Sequence, residues 1–146
     1  MLPGPFRLFA YGSLMKGERD HSLVEGAEFA GAVKTQPLYK LADLGPYPAL
    51  LIGGTLAVEG ELYVVTGKQR FATDVKYQCP VLFHRIPVTL EDGSAAEAYA
   101  MNEDQVRGKR RLFYGDWRKR FQPRPRTESV GGPLVKAARE RFKPLK

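Results

Sequence analysis

The residues best suited to chemistry in this chain are Tyr11, Gly12, Ser13 and Leu14. They close an apolar run, Phe6-Arg7-Leu8-Phe9-Ala10, that reads as a β-strand. A strand ending in Gly-Ser leaves backbone N–H groups without ladder partners. Gly12 lets the chain turn without a Cβ penalty, and Ser13 adds a hydroxyl donor. Such a turn forms a small anion nest suited to a carboxylate. The competing reading is an ordinary strand-turn with no ligand.

Other reactive side chains are sparse. Cys79 and His84 lie close in sequence, as a nucleophilic Cys-His pair would. Nothing marks Cys79 as activated, and it precedes Pro80 in a loop-like stretch, so a structural role is expected. His21 follows Glu18-Arg19-Asp20 in a helix-like segment with no third ligand at usable spacing, so no metal site is expected. No cofactor is expected either.

The elements that must position the turn are mostly β. Residues 28–41 and 49–52 read as short strands, broken by Pro37 and by the Leu44-Gly45-Pro46-Tyr47-Pro48 turn. Leu56–Val65 alternates, with Leu56, Val58, Gly60, Leu62 and Val64 on one face, and predicts a longer strand. A short helix is expected over 66–73, starting at a Thr cap, and another over 17–26. Leu82–Leu90 and Ala95–Met101 flank Glu91-Asp92-Gly93-Ser94, a strong hairpin signal because Asp-Gly tolerates positive φ. Many short strands with few helices predict an α+β domain rather than a doubly wound sheet.

The 146 residues are one domain's worth, enough to bury a core. The single cysteine excludes an internal disulfide framework and fits a reducing cytoplasm, where the protein is expected to reside. No signal peptide is visible, and the weakly polar stretch over 47–58 is too short to span a bilayer, so no membrane association is expected. The net charge of +7 is uneven: residues 118–146 hold ten Lys/Arg and two Glu, whereas the preceding 117 hold thirteen Lys/Arg and fourteen Asp/Glu. The organisation expected is therefore a nearly neutral domain over 1–117 and a basic, Pro/Gly-containing tail over 118–146, with one short helix at 134–142.

After the turn come Leu14-Met15-Lys16-Gly17-Glu18-Arg19-Asp20-His21, Pro48-Ala49-Leu50, Val58-Glu59-Gly60-Glu61-Leu62-Tyr63, Arg85-Ile86-Pro87-Val88 and Gly115-Asp116-Trp117. In that order and spacing, over about residues 6–117, the chain resembles the γ-glutamylcyclotransferase-like family, including its small bacterial members and the γ-glutamylamine cyclotransferases. The resemblance implies a small mixed β-barrel or curled sheet with short helices packed outside and a ligand cavity near Tyr11–Leu14. It also implies a reaction: a γ-glutamyl group cyclises to 5-oxoproline as its α-amine attacks its own γ-carbonyl and an amine or amino acid leaves. The turn holds the α-carboxylate, which assigns substrate binding to Tyr11, Gly12, Ser13 and Leu14, and a Glu serves as general base.

That Glu is missing. Counting back without gaps from Leu82-Phe83-His84-Arg85, Asp74 falls on the family's motif Asp and Tyr77 falls where the Glu belongs. Between Leu62 and Leu90 the only acidic residue is Asp74, which is the candidate for a displaced base. A phenol with pKa near 10 is only about 0.1% ionised at neutral pH, so Tyr77 is a poor substitute. Glu59 and Glu61 share a strand face. If that face lines the cavity one of them would serve as base; otherwise they are ordinary outer-face carboxylates.

Two readings compete with a cyclotransferase acting on a small γ-glutamyl compound. One is a non-catalytic binder of a small carboxylate ligand on the same fold. The other is an interaction protein whose basic tail binds nucleic acid or an acidic partner, with Phe113, Tyr114 and Phe121 interleaved among cations. Trp117 is expected to pack the last ordered segment onto the domain.

Overall fold

A computed structural model describes residues 4–123. The expected helix at 134–142 and most of the basic tail lie outside the described residues. In chain order the elements are β1 (Phe6–Ala10), β2 (Glu28–Lys34), β3 (Tyr39–Asp43), β4 (Pro48–Ile52), β5 (Glu59–Val65), α1 (Gly67–Lys76), β6 (His84–Thr89), β7 (Ala95–Ala100) and β8 (Arg110–Arg111). Single 3-10 turns at His21–Val24, Glu103–Val106 and Trp117–Lys119 complete the set. No helix among the described residues is long and apolar enough to cross a membrane.

The strands form one mixed sheet in the order β2-β5-β1-β7-β4-β3-β8, with β6 paired to β7. It is α+β as expected, and the sheet stays open rather than closing into a barrel. β1 runs antiparallel to β5 and parallel to β7, meeting β7 at Leu8 and Glu97. β6 pairs with the whole of β7 on its other edge, from His84↔Ala100 to Thr89↔Ala95. Further along, β4 meets β7 at Leu50 and Ala100. The chain therefore leaves β1 at a fork, where one neighbour of β7 gives way to another. Tyr11 stands at that fork.

Local chemistry explains most boundaries. Thr66 caps α1 through a reciprocal box: its hydroxyl accepts from the Gln69 N–H (3.1 Å) and the Gln69 side chain accepts from the Thr66 N–H (2.8 Å). The helix runs beyond the predicted Thr73 and ends at Tyr77, followed by Gln78 in a left-handed conformation (φ 51°). The helix expected over 17–26 shrinks to the His21–Val24 turn. Gly17 is left-handed (φ 83°), and the Asp20 N–H goes to the Ser13 carbonyl (2.8 Å) instead of a helical acceptor.

The strand expected from Leu56 begins only at Glu59. Leu56 pairs separately with Tyr39, and Gly115 packs so closely on Ala57 that a Cβ there would lie 2.0 Å from the Ala57 carbonyl oxygen. Both faces of β5 are covered, so Glu61, Tyr63 and Val65 are buried along with Gly60 and Leu62. Apolar alternation alone marked one face and missed the other.

The core is built from Leu8, Phe9, Leu41, Leu50, Leu51 and Tyr63, closed by Trp117 at 2% exposure. Side chains of this size each contribute about 1.5–3 kcal/mol by leaving water. Trp117 packs as expected. Described residues after it make contacts back: Arg120 lies over its ring (4.3 Å), and the Tyr114 hydroxyl donates to the Pro123 carbonyl (3.0 Å).

Candidate active site

The fork after β1 leaves a ladder position that backbone cannot fill, and the Tyr11 side chain fills it. Its hydroxyl accepts from the Leu50 N–H of β4 (2.9 Å) and donates to the Tyr99 carbonyl of β7. Burial pushes this phenol far above its ordinary range, so it stays neutral. Tyr11 thus joins two strands and fixes where the turn begins.

Gly12 is not in a left-handed conformation. Its requirement is space: a Cβ there would lie 2.5 Å from Pro48 Cδ and 2.6 Å from Pro48 Cγ. The carbonyls of Gly12, Ser13 and Leu14 are all occupied, by the Met15 N–H (3.1 Å), the Asp20 N–H (2.8 Å) and His21 Nδ1 (2.9 Å). The N–H groups of the same three residues donate to no acceptor among the described residues. With the carbonyls turned to protein, three adjacent N–H groups are left available to an acceptor.

These residues line a small, narrow cavity. Its other wall is aromatic: Tyr47, Tyr77 and Phe83 meet edge-on at 5.2–5.5 Å, and Tyr99 lies 5.0 Å from Tyr77. Tyr77, reached by ungapped counting, comes to the turn itself, with its hydroxyl 2.6 Å from Ser13 Oγ. Burial raises its phenol well above the ordinary value. The Ser13 hydrogen bond opposes that shift and the nearby Asp20 charge adds to it. Such a group donates a proton in a hydrogen bond and does not serve as a base.

Of the predicted site residues, the four turn residues and Tyr77 line the cavity, and Asp74 does not. The Asp74 carboxylate accepts from Arg85 Nε (3.1 Å) and from the Tyr99 hydroxyl. It belongs to an ionic cluster with Arg85, Glu97 and Arg70. Burial, with the Asp74 charge beside it, pushes the Cys79 thiol up, opposite to what an activated nucleophile needs.

Glu59 and Glu61 do not line this cavity either. Glu61 stands behind the turn, where its carboxylate accepts from the Lys16 N–H (2.8 Å), the Tyr63 hydroxyl (2.9 Å) and Arg118 (3.3 Å). Arg118 also donates to the Lys16 carbonyl (3.0 Å), so the segment after Trp117 clamps the far end of the turn. Sequence reasoning missed this clamp because its parts lie at positions 16, 61, 63 and 118.

Burial works to raise the Glu61 carboxyl, but its three donors together hold it below its ordinary 4.5. A depressed folded-state pKa gives stability that is present above the unfolded value and lost as pH falls through the folded one. Thermal melts from pH 6 to pH 3 should therefore show stability declining below about 4.5. Glu61→Gln should cost on the order of 1–3 kcal/mol at pH 7 and flatten that decline.

The family model described as "Gamma-glutamyl cyclotransferase, AIG2-like" matches residues 8–119. The chain belongs to that family. A Vibrio cholerae protein named "Putative gamma-glutamylcyclotransferase" is 34% identical over 88 residues, covering 60% of this chain and 76% of that protein. The uropathogenic E. coli-specific protein c4763 superposes with a TM-score of 0.69 at 24% identity, covering 80% of this chain and 94% of that one. An AIG2-like protein from Mus musculus gives 0.57 at 26% identity, with coverages of 66% and 77%.

In this AIG2-like cyclotransferase family member the matched region runs from Leu8 in β1 through Lys119. It therefore includes the turn, the aromatic wall and the Arg118 clamp.

Proposed function

We propose that this protein cyclises a small γ-glutamyl compound to 5-oxoproline with release of an amine or amino acid. The observation that carries the reading is the turn: three adjacent N–H groups with no protein acceptor among the described residues, at a cavity closed by the Tyr77 phenol. The N–H groups hold the substrate's α-carboxylate. The α-nitrogen and the γ-carbonyl belong to one molecule, and the contact fixes the rotations between them so that the nitrogen faces the carbonyl carbon. With Ser13 as the donor in its 2.6 Å contact with Tyr77, where either hydroxyl can donate, the phenolic proton meets the γ-carbonyl oxygen as negative charge builds. One such donor is worth about 2.7–4 kcal/mol.

The test compares γ-glutamyl substrates carrying a free and a methyl-esterified α-carboxylate. The free acid should be turned over at least about 10²-fold faster in kcat/KM, as expected for loss of a buried charge-assisted contact. Equal rates would contradict the assignment of the turn. A second reading, ligand binding without ring closure, is favoured by the absence of any carboxylate among the described residues lining the cavity. Under it the same γ-glutamyl compounds bind and emerge unchanged.

A further inference from the structure

Three adjacent N–H groups hold a carboxylate only while they point to one spot, so both ends of the turn must be fixed. The near end is fixed by the Tyr11 hydroxyl, which joins β4 and β7. The far end runs into Met15-Lys16-Gly17-Glu18, which lies outside every strand and helix. Side chains have to do there what a sheet ladder does elsewhere.

One guanidinium gathers this segment. Arg118 Nη2 donates to the Lys16 carbonyl (3.0 Å) and to Glu61 Oε2 (3.3 Å), Nη1 donates to the Met15 sulfur (3.3 Å), and Nε faces Glu18 Oε2 (3.9 Å). Glu61 in turn accepts from the Lys16 N–H (2.8 Å), so both backbone polar groups of Lys16 are tied. A planar fork with donors on separate nitrogens makes these contacts together, whereas an ammonium is a single point. Arg118 is 41% exposed, so its ion pairs contribute little stability in themselves. It is also not among the residues lining the cavity. Its loss would therefore change where the turn sits rather than remove a contact to the ligand.

Resting on the cyclotransferase reading above, we infer that Arg118 is a positioning residue for substrate binding, holding Lys16 and through it the three N–H groups that take the α-carboxylate. That carboxylate is held alike in the bound substrate and in the transition state. The effect of Arg118 therefore falls on affinity and leaves the chemical step alone. The Trp117–Lys119 turn thus completes a site built at the end of the first strand.

The test titrates 5-oxoproline and its methyl ester into wild type, Arg118→Ala and Arg118→Lys by calorimetry. The same proteins are assayed for kcat and KM with a γ-glutamyl peptide. Both variants should bind 5-oxoproline about tenfold more weakly, a part of the roughly 10²-fold that a full ångström of misplacement costs. The ester has no carboxylate for the turn and should bind all three proteins within about twofold of one another. KM should rise about tenfold while kcat stays within about twofold, a split that general damage to the fold would not give. Affinity kept by Arg118→Lys and lost by Arg118→Ala would mean that charge alone matters, and would overturn the inference. Unchanged affinity in Arg118→Ala, or equal losses for acid and ester, would overturn it too. A wild type that forms no product yet binds 5-oxoproline in the predicted Arg118-dependent way would overturn the reaction and sustain the positioning role. A wild type that does not bind 5-oxoproline would overturn both.

Discussion

Protein carrying Tyr77→Glu should form 5-oxoproline about 10²-fold faster than wild type. The expectation follows from the geometry of the two walls. Tyr77 reaches Ser13 with its hydroxyl at 2.6 Å, so a shorter Glu at this position ends inside the cavity and leaves room for an ammonium between it and the turn. Measuring kcat for wild type and the Tyr77→Glu variant gives the gain directly. A variant no faster than wild type would mean that position 77 does not face the substrate nitrogen.

Gly12→Ala should be nearly as damaging through a different route. The new methyl would overlap the Pro48 ring at 2.5 Å, and Pro48 cannot yield cheaply because it opens β4 and pairs with Asp43 of β3. The turn has to move instead, and the three N–H donors move with it. Overpacking of this kind costs about 1–3 kcal/mol of stability. The loss of aligned donors should raise KM for a γ-glutamyl substrate by roughly 10- to 100-fold, because misplacement by an ångström is felt strongly at an oriented site. Urea titrations give the first quantity and steady-state kinetics the second. An unchanged KM in the Gly12→Ala variant would mean that the turn does not hold the carboxylate.

The contrast between these positions shows what the sequence could carry. The turn was legible because its donors arise locally, from a strand that stops in Gly-Ser. Tyr77 was reached by an ungapped count through α1 and the following loop, and its hydroxyl lies 2.6 Å from Ser13 Oγ. The α1 cap and the β6–β7 hairpin also follow from local signals, the Thr-Gly-Lys-Gln start and the Asp-Gly turn among them. Gly12 was found for an incomplete reason. Freedom at a turn is a property of glycine itself, whereas its clash with Pro48 exists only once β4 is folded beside β1.

Roles that depend on long-range packing were not legible. Glu61 looks like an ordinary strand carboxylate until Lys16, Tyr63 and Arg118 converge on it from distant parts of the chain. Asp20 sits in a charged stretch, Glu18-Arg19-Asp20, that reads as helix-like. Its N–H bonds the Ser13 carbonyl and its carboxylate pairs with Lys76 of α1. Arg118 falls at the first position of what composition marks as a tail, yet it holds the back of the turn. Charge counts describe composition and cannot tell a clamp from a solvated cation.

The most direct test of the account is mass-spectrometric product analysis of wild-type protein incubated with a panel of γ-glutamyl peptides and amines. Cyclisation predicts 5-oxoproline and released amine in equal amounts, with no glutamate. Glutamate in place of 5-oxoproline would mean that water, not the α-amine, attacks the γ-carbonyl. Recovery of every compound unchanged would contradict the cyclotransferase reading.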